Sequence, residues 1–215
     1  IKDFAPIALV GSAPLVWAAP KPATPLTAAA LVKSAQAAGD KLAYGSVGAG
    51  SGGHLGMELL KESLKFDALH VPFAGGPAIL NAMLGGQIQI AFASALQVKG
   101  HLDAGKLRAI GTSGEKRMAT LPQVPTLAEQ GLNDEAYRVT GWLAVAAPGA
   151  TPQPIIDKLA SEIQKAVQSP EVRERIVGMG FEVQDNGLPP AFNAAYRQEL
   201  PIWHRLIKQS GAKLD

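Results

Sequence analysis

Short, continuous apolar runs alternate with longer runs of helical period along the first half of the chain. "IALV" (7–10) and "PLVWAA" (14–19) read as strands. "TPLTAAALVKSAQAAG" reads as a helix, with Thr24 as its cap, Pro25 in its first turn and Gly39 as its stop. The same alternation then repeats. "KLAYGS", "DALHVPF", "QIQIAFA" and "KLRAIGT" are predicted strands, separated by the helical stretches "GGHLGMELLKES", "GPAILNAMLGG" and "ALQVKGHLDAG". The strands do not alternate apolar with polar, so both of their faces are expected to be covered. That predicts a parallel sheet with helices on both sides and right-handed crossovers.

Between residues 113 and 137 the periodicity lapses into a polar, proline-punctuated segment with one short helical piece at 126–130. "GWLAVAAP" (141–148) then predicts a buried strand. "TPQPIIDKLASEIQKAVQS" predicts an amphipathic helix whose core face carries Ile155, Leu159, Ile163 and Val167. A short helix (170–179) and the strand "FEVQ" precede a helical tail. Phe192, Tyr196, Trp203, Leu206 and Ile207 share a face of that tail, and Pro201 is expected to kink it. Residues 14–110 are Gly-rich and βα-repeating, residues 111–215 more charged and helical.

Composition narrows the function classes. The 215 residues are 47% hydrophobic and 18% charged, enough to bury a substantial core. Twenty basic against 18 acidic residues, a net +2, give no basic footprint for nucleic acid. The absence of cysteine removes disulfides and Cys-metal sites. No run reaches the length of a transmembrane helix. The start "IKDFAPIALV" lacks an initiator Met and the marks of a signal peptide, so Ile1 reads as an internal residue of a longer precursor or a product of processing.

The densest motif is "YGSVGAGSGGHLG", residues 44–56, with six glycines and two serines between a strand and a helix. Gly48, Gly50 and Gly53 satisfy G-x-G-x-x-G in the context a dinucleotide fingerprint needs. The acid that should end the next strand is missing: Phe73 stands near that place, and Asp67 begins the strand instead. No Gly-Lys-Ser/Thr follows, which excludes a Walker A loop. The motif still supplies an anion cradle: close backbone approach, the free N–H groups of a helix start, and the hydroxyls of Ser46 and Ser51. The plain alternative is a flexible connector.

"HVPFAGGPAIL" repeats the arrangement one βα unit later, with Gly75 and Gly76 in the turn. Both loops fall at the carboxyl edge of a parallel sheet, where ligands bind in open α/β folds. From Lys41 to Lys99 the intervening lysines are Lys61 and Lys65, with no arginine, so neither loop carries a cation. That suits a carboxylate better than a triphosphate. None of His54, His70, His101 and His204 has metal-ligand spacing, and no nucleophile, base and orienter assemble. His54, in a first helical turn, is equally a ligand contact or a structural residue; His70 reads as structural. No enzyme, metal or cofactor is expected.

Several stretches carry a family resemblance in order and spacing. They are "KLAYGSVGAGSGGHLGMELLK", "HVPFAGGPAILNAMLGGQIQIAFAS", "AGKLRAIGTSGEKRMATLPQVPTLAEQGL", "GWLAVAAPGATPQPIIDKLASEI" and the tail "SPEVRERIVGMGFEV…W…SGAKL". Together they resemble the Bug family, the extracytoplasmic solute-binding receptors of tripartite tricarboxylate transporters. "LPQVPTLAEQGL" is the most specific piece.

The resemblance implies a periplasmic α/β receptor of the periplasmic-binding-protein type II (Venus flytrap) fold, with two doubly wound lobes. Such receptors clamp a small carboxylate and deliver it to a membrane permease. It implies ligand contacts at Ser46, Gly48, Ala49, Gly50, Ser51 and Gly52, at Phe73, Ala74 and Gly75, and at Ser94. Family members begin with a further strand, Gly-rich loop and helix that this sequence does not contain. Lobe two (14–110) is therefore expected complete, and lobe one (1–13 with 111–215) N-terminally truncated. A truncated lobe exposes sheet edges, to be capped by self-association, swapping or rearrangement. Where the family often carries Asp-Asn or similar polar residues, this chain has Ala93 and Ser94. The ligand thus stays open among di- and tricarboxylates, acidic amino acids and aromatic acids. Two other readings are a receptor fragment without ligand binding and a Rossmann-type nucleotide-binding enzyme.

Overall fold

The computed structural model describes residues 3–21, 27–38 and 42–211. Its contacts divide the chain into two compact units, Ile1–Ala13 with Thr140–Pro201, and Pro14–Val139 with Ile202–Asp215.

The larger unit carries the βα repeat. Its strands are β2 (Leu15–Pro20), β3 (Leu42–Ser46), β4 (Ala68–Pro72), β5 (Ile90–Ser94) and β6 (Leu107–Thr112). Between them run α1 (Ala28–Ala38), α2 (Gly52–Leu64), α3 (Gly76–Leu84) and α4 (Ala95–Asp103). The five strands lie in the order β4-β3-β5-β2-β6. β3 is parallel to both β4 and β5. The expectation of a wholly parallel sheet fails at β2, which runs antiparallel to β5 and to β6. β2 enters this sheet one residue after the strand Phe4–Ala13, which belongs to a different sheet, and so is not preceded by a βα unit of its own sheet.

Both faces of this sheet are covered. One core gathers Trp17, Tyr44, Ile90 and Phe92 from the strands with Leu55 and Leu60 of α2. The other gathers Val16, Ala18, Ala91 and Ala93 with Ile79 and Met83 of α3 and Val98 of α4. Neighbours along a strand point to opposite cores, as the pleat requires, and that is why these strands read as unbroken apolar runs. The α1 cap expected at Thr24, Pro25 in its first turn and the stop at Gly39 lie outside the described residues. Within them, Thr27 caps the helix, its hydroxyl accepting from the Ala30 N–H at 3.2 Å.

The polar segment after β6 packs into this larger unit. Met118, Leu121 and Val124 enter one core, and Leu127, Leu132 and Tyr137 the other. Tyr137 donates its hydroxyl to Ser63 (2.7 Å) and the Leu59 carbonyl (3.2 Å), and burial pushes its phenol up to about 12. Asp134 caps a turn at the Ala136 N–H and holds Arg205 through two contacts of 2.6 and 2.9 Å. The compact units thus divide the chain differently from the lobes expected at residue 111: residues up to 139 pack with the larger unit.

The smaller unit is built on β1 (Phe4–Ala13), flanked by β7 (Gly141–Pro148) and the two-residue β8 (Glu182–Val183), all antiparallel. It also holds α5 (Gln153–Gln168), α6 (Pro170–Gly178) and the first part of α7 (Pro189–Ser210), which contains Pro201. Its core joins Ile7, Ala8 and Val10 to Ile156, Ala160, Val167 and Ile176. Trp142 reaches Glu199 at 3.2 Å and packs edge-on against Phe192 and Tyr196, which makes it a packing residue.

Two expectations are corrected here. β7 is largely exposed, because among the described residues it pairs only with β1 and forms the edge of a three-stranded sheet. On α5 the buried stripe runs through Ile156, Ala160 and Val167, whereas Ile155 is 49% and Leu159 41% exposed. The helix carries an apolar arc wider than one narrow sheet covers, and the sheet selects its other side. Ile156→Ala is expected to lower the unfolding free energy by about 2–4 kcal/mol, and Ile155→Ala by less than about 1 kcal/mol, as measured by urea denaturation of both variants.

Candidate functional site

β3, β4 and β5 run the same way, so their following loops emerge at one edge of the sheet. Each loop leads directly into a helix, and α2, α3 and α4 all begin there. Helix starts carry N–H groups without intrahelical acceptors and the positive end of the helix dipole.

The first loop is held by its own polar atoms. Gly48 (φ 125°) and Gly50 (φ 77°) take backbone conformations that side-chain-bearing residues avoid. Ser46 is 1% exposed; its Oγ accepts from the Gly48 N–H at 3.2 Å and lies 2.7 Å from His70 Nε2. Ser51 is the N-cap of α2, accepting from the His54 N–H at 3.3 Å and donating to the Gly48 carbonyl at 2.8 Å. The Gly50 N–H donates to His54 Nδ1 at 3.1 Å. The serine hydroxyls expected as ligand donors are thus engaged in shaping the loop. Gly52 and Gly53 stand in the first turn of α2, where N–H groups have no intrahelical acceptor.

The second loop is tied to the first by the Phe73 N–H, which donates to the Ser46 carbonyl at 2.8 Å. Gly75 caps α3 without a side-chain hydrogen bond, and Pro77 occupies the first turn. Ser94 caps α4 in a reciprocal box with Gln97: its Oγ accepts from the Gln97 N–H at 3.4 Å, and its own N–H donates to Gln97 Oε1 at 3.2 Å. The Gln97 amide lies against Gly76, where a Cβ would collide with it.

The structure therefore brings Ser46, Gly48, Ala49, Gly50, Ser51 and Gly52 together in one loop. It sets Phe73, Ala74 and Gly75 beside them and links Ser94 to the same edge through Gln97.

Beneath the first loop three rings stack. His54 and His70 have centroids 4.3 Å apart, and Tyr44 lies 4.9 Å from His70 and 6.3 Å from His54. Burial pushes both imidazoles below the ordinary value, and His54 adds to the effect on His70. Glu58 opposes the shift and Lys61 reinforces it. Tyr44 donates to Glu58 Oε1 at 2.5 Å, and burial followed by that bond pushes its phenol well above the ordinary range. Lys61 is itself held by Glu58 at 3.0 Å and Asp67 at 3.6 Å. The Ser46–His70 contact has the length of a nucleophile–base pair, but a hydroxyl 1% exposed and already bound to Gly48 has no path to a substrate. No metal-holding cluster of His, Cys, Asp or Glu occurs among the described residues.

Sequence reasoning missed Tyr44, Glu58 and Gln97. Two had signals: Glu58 stands four residues after His54 on one helix face, and Ser94-x-x-Gln97 is a capping-box spacing.

The profile of the "Tripartite tricarboxylate transporter family receptor" matches residues 1–211. A Pseudomonas sp. (strain P51) protein, the "UPF0065 protein in tcbD-tcbE intergenic region", is 30% identical over 96% of this chain and 61% of its own length. The chain thus spans about 61% of that relative. Among solved structures, R. palustris Rpa4515 with adipate superposes with a TM-score of 0.84 at 26% identity, covering 98% of this chain and 70% of that one. The periplasmic binding protein BugD superposes with a TM-score of 0.83 at 30% identity and the same coverage. With a family profile matching residues 1–211, the chain belongs to the tripartite tricarboxylate transporter family of receptors.

Proposed function

We propose that this chain is a periplasmic receptor that captures a small carboxylate through backbone amides and serves the membrane permease of a tripartite tricarboxylate transporter. The observation that carries the reading is the gathering of three helix starts at one sheet edge with no lysine or arginine in the three loops. A carboxylate needs few donors and no metal, and helix N-termini supply those donors in a fixed array. The adipate carried by the R. palustris neighbour agrees with that chemistry. The contacts proposed are the loops of Ser46–Gly52, Phe73–Gly75 and Ser94. The acid that a ribose would need is absent at the end of β4, where Pro72 and Phe73 stand, so a Rossmann enzyme is the weaker reading.

Self-association through the exposed edge of β7 is part of the same proposal. Sedimentation of the purified chain over a range of concentrations tests it; a strict monomer at every concentration contradicts it.

Adipate, malate, citrate, glutamate and benzoate, each at about 100 times its dissociation constant, would stabilise the chain by about 2.7 kcal/mol if bound. A rise in melting temperature with at least one of them is expected in a thermal-shift panel. No shift with any would overturn the carboxylate reading.

Gly75→Val separates site from scaffold. The backbone there is extended (φ 166°), and an added Cβ meets nothing nearer than Pro77 at 3.9 Å. The ligand-free melting temperature is expected to stay, while affinity measured by calorimetry falls about tenfold or more, about 1.4 kcal/mol. Unchanged affinity would place the site elsewhere.

A further inference from the structure

We propose that His54 is the positioning residue of the Gly48–Ser51 loop, and that the loop keeps its ligand-ready shape only while Nδ1 of that imidazole carries no proton. The inference rests on the carboxylate reading for its consequence in binding, and on geometry alone for its mechanism.

Both left-handed glycines of the loop donate their amides toward the paired imidazoles. The Gly50 N–H enters His54 Nδ1 directly at 3.1 Å. The Gly48 N–H enters Ser46 Oγ at 3.2 Å, and that oxygen lies 2.7 Å from His70 Nε2. Gly50 is thus fastened directly to one ring of a stack whose centroids are 4.3 Å apart, and Gly48 to the serine oxygen that contacts the other.

A neutral imidazole has one donor nitrogen and one acceptor nitrogen, whereas an imidazolium has two donors. Because Nδ1 accepts from Gly50, the neutral ring carries its proton on Nε2, and a second proton must go to Nδ1. There it faces an N–H. Two donors then oppose each other at hydrogen-bond distance, and the Gly50 amide has to turn away. Gly50 sits between Ala49 and the N-cap of α2, so its rotation disturbs the Ser51 cap that follows.

The charged and titratable neighbours are few. On α2, Glu58 favours the protonated rings and Lys61 opposes them; on β4, His70 stacks on His54; on β3, Tyr44 stacks on both and holds Glu58 by its hydroxyl. Asp67 reaches the group only through Lys61. Burial keeps both rings neutral at neutral pH. A depressed imidazole adds stability that is present above its ordinary value of about 6.5 and is lost as pH falls through the folded value.

The decisive experiment pairs a ligand-free measurement with a binding measurement on the full chain. Amide NMR of selectively labelled glycine follows Gly50 and Gly48 from pH 8 to pH 5, while the imidazole carbons of His54 report its titration. The Gly50 amide is expected to shift and lose exchange protection with the His54 midpoint. In His54→Gln, whose side-chain oxygen accepts without titrating, it stays fixed. Adipate affinity by calorimetry is expected to weaken by up to about tenfold per pH unit below that midpoint in the wild type. The His54→Gln profile should retain only the ligand's own ionisation, which enters both profiles equally. His54→Leu, with no acceptor, should bind weakly at every pH.

A Gly50 amide indifferent to the His54 titration overturns the proposal, and so does a His54→Gln profile that keeps the wild-type slope. Failure of adipate to bind at any pH counts against the carboxylate reading and leaves the NMR outcome to decide the role of His54.

Discussion

Unpaired backbone amides are the constraint on which the rest of this structure turns. Parallel strands require that each chain segment return to the same edge before the next strand begins. With β3, β4 and β5 parallel, three helix starts must gather at one place, and each brings N–H groups that its own helix cannot satisfy. Ser51 and Ser94 satisfy some of them by capping, and the Gln97 side chain closes the box at α4. Gly75 has no side chain with which to do so, and the start of α3 is left open. Under the proposed function, what the scaffold leaves unsatisfied is the means of holding an anion. Because the donors belong to the main chain, they neither titrate nor depend on rotamers.

Such a cradle is only as good as the ground beneath it. Gly45 lies directly under the loop, where an added Cβ would fall 2.6 Å from Ile88 and 3.1 Å from the Phe73 ring. Gly56 abuts the Phe92 ring in the same way, at 3.2 Å. These glycines serve packing, whereas Gly48 and Gly50 serve conformation. The richness of the motif in one residue type therefore has two separate causes. The alternative of a slack connector does not account for a loop whose polar atoms are bonded to one another and whose floor is filled by side chains.

Much of this could be read from residue order, and the exceptions have physical reasons. The strand–loop–helix units were legible because unbroken apolar runs, Gly-rich turns and Pro77 are local signals. The direction of β2 was not legible, since an apolar run carries no sign of its orientation. The buried side of α5 was misread for a related reason: Ile155 and Ile156 are equally apolar, and only the position of a narrow sheet chooses between them. At the site, the loops and their glycines were visible, but the His54–His70 stack joins residues from a helix and a strand that come together only in the fold. A lone histidine in the sequence gives no hint of a second one 4.3 Å away.

The same stack shows why composition of a site cannot stand for its chemistry. Serine, histidine, tyrosine and glutamate within a few ångströms of one another would, in an open cleft, invite assignment as a nucleophile and its relay. Burial decides otherwise. Ser46 is 1% exposed, its oxygen is shared with Gly48, and Glu58 is committed to Tyr44 and Lys61 rather than to an imidazole nitrogen. The Ser46 hydroxyl is neither free nor reachable in the way that acyl transfer demands. What the group does is bond the two glycines of the loop, Gly50 through His54 and Gly48 through Ser46. Residues familiar from catalysis serve shape here, and shape is what the proposed recognition by a backbone cradle requires.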